Sequence, residues 1–157
     1  MEDGGSQSED GLRRLTAKGR RRMRRAARGL VLTVPMPHML ATSPLVRAVE
    51  TAEIIGEAYD RVLPETVTEL QPRAGADAVI AWLRHLPAEH RVIAVGHEPD
   101  LSILAGMLLV GRQSPVLLFK KGAACLLRVE ADVKPGTASL EWFMTPRQLR
   151  QMGASQS

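Results

Sequence analysis

The sequence predicts a single α/β domain, and three observations carry that prediction. Two short apolar runs, HMLAT (38–42) and RVIAVG (91–96), have the length and flanking prolines or glycines of buried strands. Each is followed at once by a helical pattern, the alternation that builds an α/β sheet. The 157 residues, 45% hydrophobic and 24% charged, are enough for one core without cross-links.

The first helix is expected from Ala17 to Arg28, with Thr16 capping its start and Gly29 stopping it. Its thin apolar stripe is Met23, Ala26, Ala27 and Leu30. Leu30 to Val34 fits either an extended segment or a helix end. After the HMLAT strand, Ser43-Pro44 marks a helix reaching about Tyr59, serine as cap and proline at the first position. Leu45, Val49, Ala52 and Ile55 form its apolar face. A short strand is expected at Val67 to Leu70, a helix from Asp77 to Leu86, then RVIAVG and a helix from Leu101 to Leu109. The remainder reads as strands at Val116–Phe119, Ala124–Glu130 and Ser139–Met144, with a turn at Lys134–Thr137. Pro146 opens a last short helix, and residues 1–11 and 153–157 read as flexible ends around a 12–152 domain.

Composition excludes several functions. The single Cys125 forms no internal disulfide and reads as an inert, buried thiol, in keeping with a reducing cytoplasm. The most hydrophobic stretch, Leu101 to Val110, is too short to span a bilayer, which needs about 20 apolar residues. The acidic, polar beginning does not resemble a secretion signal. Nine Lys/Arg and no acid lie between Arg13 and Arg28, leaving twelve bases against seventeen acids elsewhere. That pattern is one basic helix on an acidic remainder. With dispersed aromatics, it argues against nucleic-acid binding.

Candidate chemistry gathers at two places where a strand end, a polar residue and a helix start coincide: Leu40–Ile55 and Val92–Ser102. Arg47 falls in the first turn of its helix, where a guanidinium and free backbone N–H groups can receive phosphate oxygens together. His97 follows the second strand and can donate to the same anion. Taken singly, each has an ordinary structural reading; their occurrence at matching strand ends points to an anion site.

Three segments resemble motifs of the histidine phosphatase superfamily, and within it the small SixA-type phosphohistidine phosphatases. LRRLTAKGRRRM is similar to LRPLTxxGxxxA with Arg14 in place of proline; SPLVRAVETAEI is similar to SPxxRAxQTAEI with Glu50 in place of glutamine; VGHEPDLS is similar to VGHxPxL. The resemblance implies a three-layer, phosphoglycerate mutase-like α/β sandwich and a pocket of arginines and two histidines, one of them the nucleophile. It implies no metal and no cofactor. On this resemblance Arg47 clamps phosphoryl oxygens, His97 is the second histidine stabilising developing charge, and Ser43 shapes the pocket. Glu69, in the TEL segment, is a candidate acid at the pocket edge, with a solvated loop charge as its alternative reading.

The family's first central strand ends in Arg-His-Gly and supplies the nucleophile. This sequence resumes the pattern only afterwards, so the sandwich is expected to lack that strand and the site to lack a nucleophile. The expected function is that of a phosphohistidine phosphatase-like protein, acting on protein phosphohistidine in complete form and inactive as this chain. Three accounts stay open: a truncated start, a noncatalytic phosphate-binding or interaction module, and a site completed by another chain. Expected partners are a phosphorylated protein or a small phosphate ester, with no membrane involved; the sequence leaves the oligomeric state open.

Overall fold

The computed structural model describes residues 11–155, so the predicted flexibility of residues 1–10, 156 and 157 lies outside the described residues. Helix α1 (Ala17–Thr33) starts where Thr16 Oγ1 accepts from Gly19 N–H at 3.0 Å. It does not stop at Gly29. The helix continues through Thr33, resolving the ambiguous LVLTV segment as a helix end with Val34 as its cap. The last turn is stabilised from outside, because the Tyr59 hydroxyl lies 2.8 Å from the Val34 carbonyl oxygen and 3.3 Å from that of Leu30. A helix end leaves a carbonyl such as that of Val34 without an intrahelical donor. Burial pushes the Tyr59 hydroxyl up to about 12.

Strand β1 (Met39–Thr42) leads into α2 (Val46–Ala58). The Ser43-Pro44 start is corrected by two residues: Leu45 is the cap, while Ser43 stays in the strand-to-helix turn and accepts from Leu45 N–H at 3.2 Å. Strand β2 (Glu65–Thr66) also precedes its predicted place, and Thr68–Leu70 forms a 3-10 turn instead. The chain pairs with β1 as soon as it leaves Pro64, and Val67 N–H donates to Thr42 O at 2.8 Å. Helix α3 (Ala76–Arg84), strand β3 (Val92–Val95) and helix α4 (Asp100–Val110) follow, close to expectation.

Strands β4 (Ala124–Arg128) and β5 (Ser139–Met144) form an antiparallel pair, joined through the predicted turn in which Gly136 has φ 76°. The strand expected at Val116–Phe119 is absent. No neighbouring ladder receives it among the described residues, and Val116 and Leu118 are exposed. Helix α5 (Pro146–Ala154) has Thr145 and Gln148 bonded reciprocally as a capping box. It runs into the segment expected to fray, because Gly153 is buried against α1.

The parallel sheet has the order β2-β1-β3, in register Ala41 to Glu65 and Met39 to Val92. Alternation along β1 sends Leu40 toward the cluster of Ala27, Leu30, Ala52 and Ile55, and Ala41 toward Val67, Leu70 and Val79. Helices therefore cover both faces, giving the three-layer α/β sandwich. Among the described residues no strand pairs with the outer edge of β3, where Ala94 is exposed, and β4 and β5 form a separate two-stranded sheet. Cys125 is half-buried in β4, and burial raises its thiol to about 11, well away from nucleophilic behaviour at neutral pH. No helix is long and apolar enough to cross a membrane among the described residues.

Candidate active site

The carboxyl ends of β1 and β3 lie side by side because the two strands are parallel and in register, Thr42 opposite Val95. Ser43 N–H extends the ladder by donating to Val95 O at 3.0 Å. Its side chain is fully buried, and Oγ shares a 2.7 Å hydrogen bond with His97 Nε2. One contact thus joins the two segments singled out from the sequence. His97 is held on its backbone side as well, since its carbonyl accepts from Leu101 N–H at 2.9 Å. The intervening turn is fixed by Glu98, whose carboxylate accepts from Ser102 N–H at 3.0 Å and from the buried Ser102 hydroxyl. Sequence reading missed this brace; an acid four residues before a serine at a helix start is the signal that reveals it.

Arg47 occupies the first turn of α2, four residues beyond Ser43, and is half-buried. The positive end of the helix, with Arg47 in its first turn, therefore lies at the same end of the sheet as His97. Glu69 and Asp100 line a cleft with His97, together with the apolar Leu70, Val79 and Leu104. Glu69 accepts from the Thr68 hydroxyl at 3.2 Å, and Asp100 accepts from Arg73 N–H at 3.1 Å.

The other three histidines are elsewhere. His38 precedes β1 at its opposite end, where it stacks on His90 with ring centroids 5.0 Å apart, and His85 caps the end of α3. Among the described residues no group of three or more His, Cys, Asp or Glu side chains could hold a metal ion.

Glu50, one turn beyond Arg47, is buried and ties α2 to the segment entering α1. Its carboxylate accepts from Leu15 N–H at 2.8 Å and from the Arg20 guanidinium at 2.7 Å, with Arg14 3.6 Å away. The Leu15 N–H bond holds the carboxyl below its ordinary range; burial opposes the shift and Arg20 adds to it. A lowered native pKa means that the unfolded chain binds the extra proton first as pH falls. The contribution is accordingly present above the ordinary carboxylate range and lost as pH falls through the lowered native value. Glu50→Ala is expected to cost about 2–3 kcal/mol near neutral pH, leaving Leu15 N–H and Arg20 without this acceptor. Urea unfolding at pH 7 and at pH 3 checks this: the difference from wild type should shrink at the lower pH.

Residues 4–74 match the family model for the histidine phosphatase superfamily (branch 1). An uncharacterised protein of Picosynechococcus sp. is 36% identical over 123 residues, covering 77% of this chain and 74% of that protein. Among solved structures, the protein histidine phosphatase SixA in complex with tungstate superposes with a TM-score of 0.79 at 26% identity, over 95% of this chain and 92% of that one. A SixA protein of Agrobacterium tumefaciens gives 0.73 at 17% identity, over 93% and 90% of the two chains, a likeness of fold alone.

Proposed function

The chain belongs to the histidine phosphatase superfamily, and from that premise we propose that it binds a terminal phosphoryl group, with protein phosphohistidine as the cognate form, at the joined ends of β1 and β3. The observation that carries this reading is the 2.7 Å Ser43–His97 hydrogen bond across two strand ends, with Arg47 in the helix turn that follows. In this reading Arg47 offers two parallel N–H donors to phosphoryl oxygens. His97 donates to a third oxygen, and Ser43 fixes the imidazole. Binding of tungstate, a tetrahedral oxyanion like phosphate, by the similar SixA structure supports it.

Turnover needs a nucleophile aimed at phosphorus. The sequence contains four histidines, and of these only His97 stands at the strand ends. We therefore assign these 157 residues, acting alone, the binding half of the chemistry. Where a second histidine is supplied to the site, it would attack phosphorus and displace the substrate nitrogen, and water would then hydrolyse the resulting phosphohistidine. His97 and Arg47 would carry the negative charge that develops in both steps. The noncatalytic phosphate-binding module is the same site without that histidine.

Two measurements test the proposal. Calorimetric titration with tungstate is expected to show one site per chain, and a phosphohistidine peptide is expected to remain phosphorylated beyond its spontaneous hydrolysis. Absence of tungstate binding would overturn the assignment of the pocket. Rapid turnover abolished by His97→Ala would overturn the inactivity of this chain while leaving the pocket in place.

A further inference from the structure

Helix α1 carries charge that its own stability does not explain. Lys18, Arg21, Arg22, Arg24, Arg25 and Arg28 are exposed along it, spanning about 15 Å at 1.5 Å per residue. Arg21, Arg22, Arg24 and Arg25 make no ion pair among the described residues. Like charges three and four residues apart repel on a helix. The placement also opposes the helix dipole, because bases crowd the first half, the first turn holds no acid and the last turn no base.

The direction of α1 relates this stripe to the pocket. Its start is fastened to α2 one turn from Arg47, through Glu50 to Leu15 and Arg20, and its end meets the far end of α2 through Tyr59. The two helices therefore run the same way. The bases begin at the pocket end of the sheet and continue away from it.

We infer that the α1 stripe is a docking surface for an acidic protein that presents its phosphoryl group to the Arg47–His97 pocket. The inference rests on the proposed function and deepens it by giving the phosphorylated protein an acidic surface and a place to dock; a small phosphate ester is too short to meet a 15 Å row of basic groups. Lipid is disfavoured because no large apolar side chain is exposed between Lys18 and Arg28. Duplex nucleic acid is disfavoured because its diesters offer no terminal phosphoryl group to a pocket at strand ends.

The test compares two synthetic peptides carrying the same stable phosphonate analogue of phosphohistidine, one flanked by four aspartates and the other by four asparagines. The wild-type chain is expected to bind the acidic peptide roughly tenfold more tightly at low salt, with the preference fading as salt screens it. The variant R21Q/R22Q/R24Q/R25Q should lose that preference while keeping its tungstate affinity and its circular dichroism spectrum. Equal binding of the two peptides by a wild-type chain that still binds tungstate overturns this inference alone. So does tighter binding of a 20-base-pair DNA duplex, or of phosphatidylserine vesicles, with the same dependence on the four arginines. Absence of tungstate binding in the wild type overturns the pocket assignment, and this inference falls with it.

Discussion

Gly153→Ala is expected to destabilise the protein by about 2–4 kcal/mol, a fall of roughly 5–15 °C in melting temperature for a domain of this size. In isolation the substitution would favour the helix, since alanine exceeds glycine in helix propensity by about 1 kcal/mol. Packing reverses the sign. A Cβ on Gly153 would lie 1.8 Å from the carbonyl oxygen of Arg25, and one on Gly29 would lie 2.1 Å from that of Leu149. Both obstacles are backbone atoms, so no rotamer change relieves them and α1 and α5 must move apart. Separation would expose the side chains near that contact, including Leu149 and Ala26, which are now 2% and 3% exposed. Gly29→Ala should act on the same interface, and the double variant should cost less than the sum because α5 is already displaced. Urea unfolding of the three variants measures this, and a single-variant change below about 0.5 kcal/mol would count against the close approach.

The second large effect is expected in ligand binding. Arg47→Ala should weaken tungstate binding by roughly 10- to 150-fold, corresponding to the loss of charge-assisted hydrogen bonds worth about 1.5–3 kcal/mol. Arg47→Lys should recover only part of this, because an ammonium keeps the charge without the planar pair of donors. His97→Ala should also weaken binding, and Ser43→Ala should do so less, since Ser43 acts by orienting His97. The order Arg47→Ala, Arg47→Lys, wild type, in rising affinity, separates directional recognition from simple charge attraction. Equal affinities for Arg47→Lys and wild type would remove the bidentate role.

Local signals in the sequence were sufficient wherever a structural decision is itself local. Thr16 and Pro146 mark helix starts through a side-chain acceptor and a fixed φ, and both act where the sequence places them. The apolar runs at 39–42 and 92–95 are strands, as their short length and their flanking prolines or glycine indicate. Ser43, Arg47 and His97 were visible as candidates because strand-to-helix junctions collect ligand groups. The Ser43–His97 hydrogen bond was not, since it depends on parallel register between segments 54 residues apart.

Features that depend on a distant surface were misread or missed. Gly29 has the chemistry of a helix stop, yet it is an interior residue of α1 because α5 crosses there and requires the absence of a Cβ. Gly153 looked like part of a fraying end for the complementary reason. The residues at 116–119 have strand-like side chains, but a strand exists only where another edge offers its N–H and C=O groups. Glu50, an exposed charge by ordinary expectation, is buried because Leu15 N–H and Arg20 arrive from another element to receive its carboxylate. Sequence alone thus determined the α/β class, the order of the principal helices and strands, and the candidate residues for an anion site, because propensity, capping and periodicity act within a few residues. Tertiary structure alone decided which glycines are contacts, which acid is buried and which two strand ends become one site, because those outcomes depend on atoms brought together from distant parts of the chain.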